Sequence, residues 1–234
     1  MSEMYQTHAK AYAKAVQDNI YNAHLERPST LALMDDVHQC DVLDMGCGSG
    51  IYAQTFLAKG ARSITCIDAS TQMIELVKQS FGEQVTAYVQ DLSLGLPQEQ
   101  NDSKDVLICP LVLHYIADLK PLFAEVARVL KPGGYLVFST HHPFADFECS
   151  SSGNYFSQEP VEEMWDTVGT PVAVRFYRRP LTVITEAISA AGLVITKLSE
   201  GEVDEVVKSM CEETYWRLKH NPNFLFVRCE KPVL

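Results

Sequence analysis

Residues 42–50 read VLDMGCGSG: a short apolar strand passes through an acid, Asp44, into glycines at 46, 48 and 50. Glycine at alternate positions lets a backbone turn tightly and approach a ligand that any Cβ would push away. The helix expected to follow offers unpaired N–H groups and the positive end of its dipole. Such a segment confines the chain to folds that set a strand, a glycine loop and a helix beside a bound nucleotide. The spacing is G-x-G-x-G, not the G-x-G-x-x-G of dinucleotide enzymes.

The rest of the chain supplies the alternation that such a unit needs. Tyr5, Ala9, Tyr12, Val16 and Ile20 at helical spacing predict a helix over residues 2–24, and Pro28 with Ser29 predicts a second over 29–37. Strands are expected near 41–45, 63–67, 84–89, 105–109 and 134–140, with helices near 50–59, 70–80 and 119–130. A helix near 180–191, a strand near 193–199, an acidic helix near 202–219 and a strand near 223–229 complete the pattern. This order predicts an α/β fold with a doubly wound parallel sheet. One domain over residues 1–234 accounts for it: a helical cap (1–38), a cofactor-binding core (39–140), a lid insertion (141–179) and a C-terminal helix with a strand hairpin (180–234).

Five segments, VLDMGCGSG, ITCIDAS, YVQDLS, DVLICPLVLHYIAD and LKPGGYLVFS, follow one another between residues 42 and 139. As an ordered set they resemble the class I S-adenosylmethionine (SAM)-dependent methyltransferases, whose first motif the glycine segment matches. The resemblance implies a seven-stranded, mostly parallel sheet with an antiparallel last strand, LVITKLSE and NFLFVRCE forming the closing hairpin. It implies SAM as cofactor across the carboxyl ends of strands 1, 2 and 4. Gly46, Cys47, Gly48 and Gly50 would carry the methionine part, with Asp44 reaching the ammonium directly or through water. Asp68 would accept from both ribose hydroxyls, and Asp91 with Leu92 would hold the adenine. Ala69, Met73 and Cys109 complete the implied cofactor contacts, and Tyr12 closes over them from the N-terminal helix.

Each of these residues also has a plainer reading. Asp44 would serve as a loop or helix cap, and Asp68 and Asp91 as caps of helices at Ser70 and Ser93. Tyr5 and Tyr12 fit the packing face of an amphipathic helix. Cys47 and Ser49 read as small loop fillers, and Lys131-Pro132-Gly133-Gly134 as a turn.

Acceptor recognition, on the same resemblance, falls to the N-terminal helices and to insertions after strands 4 and 5. Residues 141–179 contain HHPFADF, NYFSQEPVEEMWD and PVAVRFYRRP, the last two predicting a strand pair over the pocket. His114, just past strand 4, and His141, at the end of strand 5, are the candidate catalytic residues, each as base or orienter. Neighbouring side chains on extended backbone point oppositely, so at most one of His141 and His142 faces the pocket. Trp165, Arg175 and Tyr177 are candidate acceptor contacts. Arg175, Arg178 and Arg179 suit a carboxylate or phosphate, while Glu159, Glu162, Glu163 and Asp166 offer them partners within the chain.

Composition narrows the partners. A formal net charge of −11 and the lack of a basic run disfavour nucleic acid. Seven cysteines without a C-x-x-C pair disfavour a disulfide or zinc framework, so no metal is expected. No apolar run reaches the ~20 residues that span a bilayer. MSEMYQTHAKAYAKAV lacks the basic-then-apolar layout of a signal peptide, so a cytoplasmic location is expected. The expected activity is methyl transfer to an oxygen, nitrogen or carbon of a small molecule. A SAM-binding regulatory or scaffold protein without turnover and an NAD-dependent oxidoreductase are the rivals; monomer and homodimer both stay open.

Overall fold

The computed structural model describes residues 2–233; Met1 and Leu234, the ends of the expected domain, lie outside the described residues. Strands β1 (Asp41–Met45), β2 (Ser63–Asp68), β3 (Thr86–Val89), β4 (Lys104–Pro110) and β5 (Leu130–His141) are parallel. A later strand, β9 (Phe224–Glu230), enters antiparallel between β5 and β8 (Val194–Ser199). The order β3-β2-β1-β4-β5-β9-β8 makes the expected seven-stranded sheet. Its order reverses between β1 and β4, the position where open α/β sheets bind ligands.

Side chains along each strand alternate between two cores. Leu43, Leu107, Cys109, Leu136 and Phe138 face one, closed by helices α5 (Lys120–Val129) and α6 (Leu181–Ala190). Val42, Val106, Ile108 and Val137 face the other, closed by α3 (Ile51–Ala58), α4 (Thr71–Phe81) and the N-terminal helices. Fully buried Phe56 and Phe138 each contribute about 1.5–3 kcal/mol by leaving water. On the second face the pattern turns polar at the carboxyl ends of three strands, at Asp44, Asp68 and Ser139. That change marks the site.

Three expected helices differ from those observed. The span 2–24 contains a 3-10 turn (Glu3–Tyr5), α1 (Ala9–Ala15) and a fresh helical start at Asn19. Asn19 Oδ1 accepts from the Asn22 amide at 2.7 Å, and a side chain that caps a helix ends the one before it. Pro28 does not open a helix, because a π-helical turn (Asn22–Glu26) runs directly into α2 (Arg27–Ala32). Proline has no N–H for the carbonyl four residues back, and its ring crowds that carbonyl. The wider turn relieves the crowding, and His24 O accepts from Asp204 N at 2.9 Å instead. The expected helix near 202–219 breaks at the extended residue Cys211 into α7 (Val206–Met210) and α8 (Glu212–His220).

The insertion forms the expected strand pair, β6 (Glu159–Trp165) and β7 (Val172–Arg178), as a separate antiparallel hairpin. Val172, Val174 and Phe176 are buried on one side of β7, while Ala173 and Arg175 are exposed on the other. Arg178 is 1% exposed and paired with Glu159, and Arg175 pairs with Glu162. Two of the three arginines thus find their partners within the hairpin. Arg179 instead donates from Nη2 to Ile116 O, and burial lowers its pKa to about 10.

Candidate active site

A cavity of about 720 Å³ lies over the carboxyl ends of β1, β2 and β4. Its floor is the glycine loop. Gly46 and Cys47 donate their amides to Ile67 O at 2.7 and 3.0 Å, which folds the loop back onto β2. Gly48 N donates to Asp68 Oδ2 at 3.0 Å, and Ser70 N donates to Asp68 Oδ1 at 2.8 Å. Gly46 has φ +76°, and a Cβ there would stand 2.2 Å from Val112 Cγ2. Gly48, at φ +53°, would have nothing within 4 Å of an added Cβ. The first glycine is required by the protein's own packing, whereas the second leaves open space at the loop.

The roof comes from distant parts of the chain. Tyr5, Tyr12, Glu26 and Arg27 line it from the N-terminal segments, and Ala173 and Arg175 from β7. The hydroxyls of Tyr5 and Tyr115 are hydrogen bonded at 2.5 Å, and the Tyr5 and Tyr12 rings meet edge-on at 5.0 Å. Ser70 Oγ donates to Tyr5 O at 2.6 Å, and Ser2 Oγ donates to Ala173 O at 3.0 Å.

Three acids gather at the cavity. Asp44 is fully buried, and among the described residues neither of its carboxylate oxygens has a partner. Burial pushes its pKa well up, and the charges of Asp68 and Glu26 push it further. Glu26, 3% exposed, accepts from Thr30 Oγ1 and Ser139 Oγ at 2.7 Å and from Tyr52 OH at 2.9 Å. Burial raises its pKa against those hydrogen bonds. Burial raises that of Asp68 too, opposed by the Ser70 and Gly48 amides.

Most of the residues singled out from sequence meet at this cavity. Tyr12, Gly46, Cys47, Gly48, Asp68, Ala69, Met73, Asp91, Leu92 and Arg175 line it. Asp44 lies just under the floor, and Gly50, at φ +86°, precedes α3. The capping reading holds for Asp91, whose Oδ1 accepts from the Ser93 amide at 2.9 Å while the residue borders the cavity; it fails for Asp44, which has no partner among the described residues, and α4 is capped by Ser70 rather than by Asp68.

Five expected site residues stand elsewhere. Cys109 is in the opposite core, because the strand's alternation turns odd-numbered β4 residues away from the face that bears Asp44. His114 and His141 stack on each other, 3.8 Å between ring centres, beneath Phe176 and outside the cavity lining. A tight turn over Leu113–Tyr115 sends Tyr115 to the cavity and His114 under it, and burial holds the His114 pKa well below its usual value. His142 points away towards Glu200, 3.1 Å distant. Trp165 donates from Nε1 to Glu163 Oε2 at 2.9 Å, and neither it nor Tyr177 reaches the lining.

Sequence reasoning missed Glu26, Tyr52 and Tyr115 on the lining, and Leu111, which holds a left-handed backbone (φ +52°) there. Tyr52 falls in the first turn after the glycines, close in sequence to the loop that floors the cavity. Glu26 gave no such signal, since an acid in a polar helix reads as a solvated face.

The seven-stranded order and the glycine loop at its switch point define the class I Rossmann-like methyltransferase fold. Residues 43–138 match the family described as a methyltransferase domain, and the chain as a whole has the fold of SAM-dependent methyltransferases. It is 33% identical over 128 residues to thiol S-methyltransferase TMT1A of Homo sapiens, a match covering 53% of this chain. The chain spans 50% of that relative's length. An S-adenosylmethionine-dependent methyltransferase structure from Mesorhizobium loti superposes with TM-score 0.72 at 26% identity, covering 88% of this chain and 97% of that one. A solved structure from Listeria monocytogenes shares the fold with TM-score 0.77 at 23% identity, over 89% and 97% of the two chains.

Proposed function

We propose that the protein transfers a methyl group from SAM to a small-molecule acceptor in the cytoplasm, leaving S-adenosylhomocysteine. The observation that carries this reading is the buried, unpartnered Asp44 carboxylate under a glycine loop with open space at Gly48. Such a carboxylate needs a cation, and the ammonium of the methionine part meets that need. Asp68, then Asp91 with Leu92, border the same cavity and suit the ribose and adenine.

When bound, the cofactor supplies a methyl group on a sulfonium, already a strong electrophile. The chain's own contribution is to hold the two reactants in line and to exclude water, worth about 7–11 kcal/mol in favourable cases. Tyr5, Tyr12, Tyr115 and the β7 residues Ala173 and Arg175 form the cover that does so. With His114 and His141 outside the lining, an acceptor that reacts as its ionised form, such as a thiolate or carboxylate, fits the wall best. The named thiol relative agrees with this, although its match is confined to half of each chain.

Calorimetric titration with SAM, S-adenosylhomocysteine and NADH tests the reading. Saturable binding of the first two, weakened in Asp68→Ala, is expected, followed by turnover in an acceptor screen. Binding of NADH in their place would overturn it.

A further inference from the structure

We infer that Glu26 is a positioning residue, forming with Asp44 a two-carboxylate cradle for the ammonium at the methionine end of the cofactor. The inference rests on the reading of the cavity as a SAM site and adds a residue outside the glycine motif to it.

Four observations carry it. Glu26 borders the cavity yet is 3% exposed, so its carboxylate is both desolvated and adjacent to whatever the cavity holds. Its three close partners, Thr30, Tyr52 and Ser139, are hydroxyls from α2, α3 and β5, so none supplies positive charge. Thr30 and Ser139 both donate to Oε1, while among the described residues Oε2 receives only the Tyr52 hydroxyl, which leaves acceptor capacity on that oxygen. Beneath, Asp44 on β1 has no partner for either oxygen.

The remaining groups that face Glu26 offset its burial only in part, and its pKa stays raised. Tyr12 of α1 is a neutral phenol whose pKa is raised by burial, and Asp68 at the end of β2 is a further acid. Arg27 is the nearby cation and its charge lowers the Glu26 pKa, but burial outweighs it, and its Nη2 is held by Val16 O at 2.7 Å rather than by the Glu26 carboxylate. The π-helical turn that ends at Glu26 sets this orientation, in keeping with the frequent use of such turns at functional sites.

Two buried acids that await a cation hold protons more tightly when the site is free, so binding a cation releases protons. SAM affinity therefore rises with pH across the acid range, where the ligand's own α-amino group, with a pKa near ~8, stays charged. Titrating the protein with SAM by calorimetry between pH 5 and 7, in two buffers of different ionisation enthalpy, measures both affinity and proton release.

Wild type is expected to bind more tightly as pH rises and to release protons. Glu26→Gln is expected to bind at least about 30-fold more weakly at pH 7 and to release fewer protons. Thr30→Val keeps the charge but removes one donor, so it is expected to move the pH midpoint up by about one unit. It decides the matter even where Glu26→Gln lowers stability. Wild-type affinity and proton release in Glu26→Gln, or an unmoved midpoint in Thr30→Val, would overturn the inference while leaving the SAM site intact. Failure of the wild type to bind SAM would overturn both.

Discussion

At Gly46 one methyl group is too many. The residue combines φ +76° with a neighbour 2.2 Å from any added Cβ, so Gly46→Ala should lose about 1–3 kcal/mol in urea unfolding as well as ligand binding. Gly48→Ala meets open space and only the left-handed backbone term of about 1–2 kcal/mol, so it should fold and still bind SAM weakly in a titration. Asp44 behaves oppositely. Because its folded pKa is raised, its contribution is fully present below the unfolded pKa and is lost as pH rises through the folded value. Asp44→Asn should therefore raise the thermal midpoint of the free protein at neutral pH and abolish SAM binding. Asp44 was legible in sequence because a motif fixes its place relative to the glycines. Cys109 and the two histidines were misplaced because closeness to a strand end does not say which face a side chain takes.

Among the elements, the β6–β7 hairpin gathers several donors, three serines and Arg178, on the one carboxylate of Glu159. Burial pushes the Glu159 pKa up, but donors from Ser152, Ser150, Arg178 and Ser151 outweigh it and hold the value at about 2, against an ordinary 4.5. A lowered pKa stabilises the folded state above the ordinary value and ceases to as pH falls through the folded one. Between pH 4.5 and about 2, Trp165 fluorescence should report loosening of the hairpin, and Glu159→Gln should show a loosened hairpin already at neutral pH. The strands of the main sheet were readable because their apolar runs are short and bounded by glycine or polar turns. The N-terminal helices were not, because proline was taken as a boundary where the backbone widened its turn instead. The break at Cys211 is the structure's own finding; acidic residues on both sides had read as one continuous helix.

For the molecule as a whole, the cavity joins the N-terminal segments, the sheet ends and the inserted hairpin, so a ligand there stabilises all of them together. At a hundredfold excess over Kd, SAM should add about 2.7 kcal/mol and raise the melting temperature by about 5–10 °C in a thermal scan. The roof that makes this coupling possible is fastened by Ser2 to Ala173 and by Tyr5 to Tyr115. Those fastenings border the cavity, and both involve residues 2–5. Substitutions at residues 2–5 are therefore expected to act as a clock on exchange, changing how long a nucleoside stays in a stopped-flow release measurement while its own contacts remain untouched.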